Sequence, residues 1–218
     1  MKGLLMKDFC LMKEMGKFLG VIIVISIFLL VTGKGENIYF VMGYVCVLCS
    51  FLVMNTISYD EMEKGYSFLM TLPVSRKEYV LEKYGFGIIT GFIGTLLGMI
   101  ITTAYIAVMK ISYPLDELAV SGMLFCCIFL LVDIVVIPIQ LKYGAEKGRF
   151  VIIGCIMFGA LAAYLLDKIA DVAGMDLAAS FEWFVMQSWS KFVLGAVILV
   201  LVVISYLISS RIMKKKEL

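Results

Sequence analysis

The chain has 218 residues, of which 62% are hydrophobic and 17% charged, with a formal net charge of +2 and a mean hydropathy of +1.03. Soluble domains run near half apolar and a quarter charged. Here the charges are crowded into a few short segments, which excludes a soluble globular protein and a disordered tail. So small a net charge gives no electrostatic footprint for nucleic acid. The composition is that of an all-α integral membrane protein.

Residues 1–17 predict an amphipathic helix lying in the membrane interface. Leu4, Leu11, Met15 and Phe18 share a face with Leu5, Phe9 and Met12, while Lys2, Lys7, Lys13, Glu14 and Lys17 take the opposite arc. Asp8 alone interrupts the apolar side. Such a helix either anchors the first span or presents its polar face, with Asp8, to a cytoplasmic partner. Six stretches then have the length and apolarity to cross a ~30 Å hydrocarbon core as helices: 18–33, 38–57, 85–109, 118–139, 150–166 and 192–210. No small-residue cleavage signal follows the first, so it is expected to be retained. Fifteen of the nineteen Lys and Arg residues fall on the side of the termini in this topology. Both termini are therefore expected in the cytoplasm, at a multi-pass cell membrane. The chain reads as one transmembrane domain, 1–218. Its longest connections hold 27 residues (58–84) and 25 residues (167–191), too few for a separate domain of ~50 residues. Any soluble engine is therefore expected on a different chain.

The 58–84 connection carries two helix-start signals. Ser58 with Glu61, and Ser75 with Glu78, have capping-box spacing. The first predicts a short helix to about Met70 with Asp60, Glu61, Glu63 and Lys64 at its surface. Pro73 ends that run and restricts Leu72. The second starts a helix running through Tyr79, Leu81 and Lys83 into the third span. The segment is either a solvated hairpin or a docking surface. Residues 167–191 are acidic yet contain Trp183 and Trp189, which favours short helices at the outer headgroup level, as an anchor or an outer gate.

Within the spans, Gly87, Gly91, Gly94 and Gly98 lie on one face of the third, with the small-residue spacing that lets helices approach closely in lipid. Cys155, Gly159 and Ala163 repeat the pattern more weakly. These faces pack within the subunit or between subunits. Asp133 is the ionisable residue deep in a span, where it must face protein or water. It is expected to be hydrogen-bonded to a neighbouring Ser, Thr or Tyr, or else to serve an ion pathway. Pro138 predicts a kink. Cys46 and Cys49 read as packing residues inside an apolar helix. The chain holds no histidine and no GxxxxGK[ST] loop, so no catalytic, cofactor or metal site is expected in it.

The run Tyr59-Asp60-Glu61, Lys64, Thr71-Leu72-Pro73-Val74-Ser75-Arg76-Lys77-Glu78 and Lys83-Tyr84 resembles the permease subunits of ABC-2 type transporters, in particular small bacterial six-span members separate from their ATPase. The resemblance implies a coupling helix at about 60–70 seated on a cytoplasmic ATP-binding subunit, which would hold ATP and Mg²⁺. It further implies that Asp60, Glu61, Glu63 and Lys64 contact that subunit. Thr71, Leu72, Pro73, Val74, Ser75 and Arg76 would form the corner passing motion to span three. A second permease chain, identical or related, would complete the path in the lipid bilayer. The expected function is export of a hydrophobic or amphipathic peptide, lipid or drug. An ion-coupled secondary transporter using Asp133, and a non-transporting anchor or immunity protein, are the alternatives.

Overall fold

The computed structural model describes residues 2–14, 16–33, 37–62, 65–69, 71, 74–110, 114–172, 187 and 190–215. Every element among them is a helix: α1 Lys2–Glu14, α2 Gly16–Thr32, α3 Ile38–Glu61, α4 Gly65–Leu69, α5 Arg76–Met109, α6 Leu115–Val172 and α7 Ser190–Lys215. Four of these helices contain a stretch long and apolar enough to cross a membrane: α3, α5, Glu117–Gly144 of α6 and Val193–Lys215 of α7. The bent pair α1 and α2 makes a fifth if it is taken as one span. The stretch 150–166 lies on the part of α6 beyond Gly144 and is outside that count. The described residues thus carry four to five candidate spans where the sequence predicts six.

α5 is 34 residues long, about 51 Å at 1.5 Å per residue, so it outruns a ~30 Å core by several turns. Its start is fixed locally, as the sequence predicts. Ser75 Oγ accepts from the Glu78 N–H at 3.2 Å, and the Ser75 N–H donates to Glu78 Oε2 at 2.8 Å, closing the capping box. The other expected box does not form. α3 runs on without a break to Glu61, so Ser58 is interior to it, and its hydroxyl donates to the Met54 carbonyl at 2.9 Å. A helix that is already propagating leaves no free amides for Ser58 to cap. The short helix begins later, at Gly65. A side chain there would meet the Asp60 carbonyl, since a Cβ would stand 2.6 Å from that oxygen.

α6 bends at Gly144, whose φ of 81° and ψ of 178° are the non-helical angles within it, while Pro138 sits inside the helical stretch. The non-helical break thus lies six residues beyond Pro138, where a residue lacking Cβ tolerates a positive φ. The bend is sharp. A Cβ on Gly148 would lie 3.4 Å from the Gln140 Cα, so the two arms approach closely. Gln140 ties this corner to α3, donating to the Met54 carbonyl and the Ser58 hydroxyl, each at 2.7 Å.

α3, α5, α6 and α7 form the packed body. The glycine face of α5 is used inside the chain. A Cβ would stand 2.8 Å from Asp133 Oδ2 at Gly87 and 2.6 Å from the Phe129 ring at Gly91, both on α6. At Gly94 it would stand 2.7 Å from Cys49 Sγ, and at Gly98 3.8 Å from the Met42 Cα, both on α3. Side chains facing away are apolar and exposed, as in Val24 and Phe28 of α2 and Leu199 and Val200 of α7. That is the surface a bilayer would cover. Several buried hydroxyls bond to carbonyls of their own helix, as Ser26 does to Ile22 and Thr102 to Gly98.

Candidate functional site

One end of the bundle gathers buried charge. Lys83 on α5 and Asp8 on α1 are both fully buried, and Asp60 near the end of α3 is 5% exposed. Lys83 is ion-paired with Asp8, and its Nζ lies 2.8 Å from Asp60 Oδ2. Lys7 closes the ring, paired with the other Asp60 oxygen and 3.3 Å from Asp8 Oδ1. The Tyr79 hydroxyl donates to Asp60 Oδ2 at 3.0 Å, and Lys83 lies 5.3 Å from the Tyr79 ring centroid. Glu82, also buried, stands 3.7 Å from Lys83. Three carboxyl groups thus face two ammonium groups at the meeting point of α1, α3 and α5, all buried except Lys7, which is 30% exposed.

Helical spacing explains how they meet. Tyr79 and Lys83 are four apart on α5, so they share a face, and that face looks onto the last turn of α3. Asp8 sits on the otherwise apolar side of α1, with Leu4 buried beside it and Phe9 edge-on to Phe86 at 5.6 Å. The residue that interrupts the apolar face therefore points inward to a lysine. It is not part of an outward polar surface. Removing either partner would strand a buried charge.

α4 rests on this cluster. Tyr66 and Leu69 are buried, and the Tyr66 ring meets Tyr79 edge-on at 5.8 Å. Burial pushes the Tyr66 phenol well above the usual tyrosine range, which keeps it neutral. Around α4, Tyr59 and Met62 remain exposed at 50% and 60%. These are large apolar side chains beside the charged cluster, at the end of the molecule where α4 sits. Arg76, one turn above Tyr79, donates from Nη1 to the carbonyls of Met213 at 3.1 Å and Lys214 at 2.8 Å. An arginine at these orphan carbonyls caps the end of α7 and complements its dipole. The start of α5 is thereby joined to α1, α3, α4 and α7.

The residues singled out from sequence separate into distinct places. Asp60 is inside, committed to Lys7, Lys83 and Tyr79. Glu61 lies against the bend of α6, where its Oε1 would be 2.5 Å from a Cβ on Gly144, and it lines a cleft of about 360 Å³ with Tyr143 and Lys147. Ser75 and Thr71 are exposed, and Val74 and Arg76 are half-buried. Glu63, Lys64, Leu72 and Pro73 lie outside the described residues, as does most of 167–191. Sequence reasoning missed Lys7, Asp8, Tyr79, Glu82 and Lys83 as one cluster. The signal was present in the lone acid on an apolar helix face.

Deeper in, Asp133 is 4% exposed, and neither carboxyl oxygen has a hydrogen-bond partner among the described residues. The expected bond to a nearby hydroxyl is not made, because those hydroxyls are engaged elsewhere. Tyr84 bonds with Ser205 and Ser209 at 2.5 and 2.9 Å, Ser205 donates to the Ile134 carbonyl at 2.6 Å, and Thr90 donates to its own helix. Asp133 and Tyr84 line the same small void. Cys46 and Cys49 are buried packing neighbours of Thr95 and Gly94.

No curated protein and no solved structure matches the chain. The sequence profile of the family described as ABC-2 family transporter protein matches residues 3–214, nearly the whole length. A match of that extent takes in α1, the corner around α4 and every span candidate together, so the chain belongs to the ABC-2 family of transporter proteins.

Proposed function

We propose that the chain is the membrane permease subunit of an ATP-driven exporter, with six spans and both termini in the cytoplasm. The observation that carries this reading is the family match over residues 3–214. In that family the permease is generally the non-catalytic membrane component, working with an ATP-binding subunit. α4 and the exposed Tyr59 and Met62 beside it are the docking surface for that subunit, which holds ATP and Mg²⁺. The chemistry of the docking face is a short helix braced from below, flanked by apolar side chains and by Glu61. Asp60 acts from inside, holding the end of α3 to Lys83. A push on α4 passes through Tyr66 and Tyr79 into α5, a continuous 34-residue helix. Because the α5 glycines pack against α3 and α6, a tilt of α5 repositions those helices too. A second permease chain, identical or related, encloses the path, and the apolar interior suits a hydrophobic or amphipathic peptide, lipid or drug.

The test is co-purification with the cytoplasmic ATP-binding subunit and ATP-dependent efflux from vesicles. Glu61→Arg combined with Pro73→Ala should impair assembly or transport; if both stay intact, the coupling assignment is wrong. A second reading, ion coupling at Asp133, draws on its burial without a hydrogen-bond partner among the described residues. It calls for loss of transport in Asp133→Asn with ATPase binding unchanged.

A further inference from the structure

The bend of α6 and the end of α7 enclose a cleft of about 680 Å³. Its floor is apolar, formed by Ile139, Ile208 and Ile212, and three cations, Lys142, Arg211 and Lys215, stand on its lining. Arg211 and Lys215 are exposed, and none of the three makes an ion pair with a described carboxylate. Lys142 stands over the Tyr143 ring, at 5.0 Å from its centroid. The cleft is at the same end as the ionic cluster, because Arg76 bonds to the Met213 and Lys214 carbonyls.

Basic residues at a helix C-terminus are ordinarily explained by the helix dipole. That account is weak here, since Arg76 of another helix already serves two of the last α7 carbonyls. Nor does the dipole of α7 explain Lys142, which comes from α6 and converges on the same cleft. What remains is a slot with an apolar floor and three cations on its lining, none of them ion-paired among the described residues. A ligand complementary to it has hydrocarbon tails and an anionic head. Basic pockets between spans on the cytoplasmic side hold such head groups.

We infer that this cleft binds one anionic phospholipid of the leaflet at this end, its phosphate among Lys142, Arg211 and Lys215 and its upper acyl carbons on the isoleucine floor. The inference requires that this end of the bundle lie at a membrane surface. It does not require that the chain export anything. The lipid is therefore a structural ligand holding the α6 bend against α7, and it differs from a transported molecule in staying bound without ATP.

The experiment uses the full chain alone in mixed micelles with equal phosphatidylglycerol and phosphatidylcholine, with bound lipid counted by native mass spectrometry. One phosphatidylglycerol per chain should be retained in clear preference to phosphatidylcholine. Replacing Lys142, Arg211 and Lys215 by Gln should lower that preference about fivefold per cation removed, whereas Lys13→Gln and Lys17→Gln should leave it unchanged. The charge-conserving set Lys142→Arg, Arg211→Lys, Lys215→Arg should retain it, which separates charge from misfolding. Glycerol 3-phosphate, a head group without tails, should not compete. Equal retention of the two lipids, an unaltered triple-Gln variant, competition by glycerol 3-phosphate, or cross-linking through Cys155, which also lines the cleft, that places a second copy of the chain over it would each overturn the assignment. Because no ATPase is present, this result and the transport assay can fail independently.

Discussion

Lys83→Met tests the buried cluster most directly. Methionine keeps the length and volume of the lysine stem, so packing around Tyr79 and Phe86 is preserved and the charge alone is removed. The change leaves the carboxylates of Asp8, Asp60 and Glu82 with Lys7 as the one ammonium group of the cluster, and Lys7 is 30% exposed. Breaking a buried pair in this way costs about 3–5 kcal/mol, because a charge is stranded. Against a total stability of ~5–15 kcal/mol that is a large fraction. At ~2–4 °C per kcal/mol for a chain of this size, the midpoint of thermal unfolding should fall by roughly 6–20 °C. Fluorescence-detected size exclusion after heating would read this, with Lys13→Met, at an exposed position of α1, as the control. The decisive comparison is the double variant Asp8→Asn/Lys83→Met. Removing the stranded carboxylate should restore part of the loss, so the double should be more stable than Lys83→Met alone. If Lys83→Met behaves like Lys13→Met, or if the two changes simply add, the cluster is not a coupled unit and the reasoning fails.

The glycine face predicts opposite outcomes at neighbouring turns. Gly91→Ala should destabilise by ~1–3 kcal/mol through overpacking against Phe129, seen as a lower unfolding midpoint, whereas Gly98→Ala, with 3.8 Å to its nearest atom, should stabilise by ~0.5–1 kcal/mol through helix propensity. Ser75→Ala should cost ~1 kcal/mol by removing the α5 cap, and hydrogen exchange should accelerate at the Arg76–Glu78 amides while those beyond the first turn keep their protection. Arg76→Gln should uncap α7, so that protease cleavage near Lys214 and Lys215 speeds up with little change in α3. An unchanged cleavage rate would mean that the two carbonyl bonds do not hold the end of α7.

Much of the fold was legible because lipid imposes simple rules on sequence. Apolar length located α3, α5, the first part of α6 and most of α7, and the Ser75–Glu78 pair located the start of α5 to the residue. The Ser58–Glu61 pair misled because capping spacing is informative only where no helix is already running, and α3 was still propagating through it. Pro138 stays within the helical stretch while the non-helical break falls at Gly144, which is recognisable only once Glu61 is seen occupying the space of its Cβ. The cluster could not be read from spacing, since Asp8, Asp60 and Lys83 are separated by up to 75 residues along the chain. Their meeting depends on how α1 lies across α3 and α5, which no local pattern encodes. Asp133 was conspicuous in the sequence, but its lack of a partner among the described residues followed from how the hydroxyls of Tyr84, Ser205 and Ser209 satisfy one another.

The placement of Asp60 changes what the corner is for. A carboxylate at the surface of a docking helix would contribute a contact that salt weakens and that a charge change tunes by ~1 kcal/mol or less. A carboxylate buried among Lys7, Lys83 and Tyr79 contributes rigidity instead, because opening it strands charge at several times that cost. On the proposed transport reading, a force on α4 below that threshold cannot part α3 from α5 at this corner, nor pull α1 away from either. The three must move together, and the joint left to yield is the Gly144 bend, where α6 departs from helical angles. A disulfide engineered between α1 and the start of α5 should therefore leave transport intact, while one engineered across the two arms of α6 should stop it. Transport abolished by the first and spared by the second would place the moving joint at the ionic cluster and refute the rigid corner.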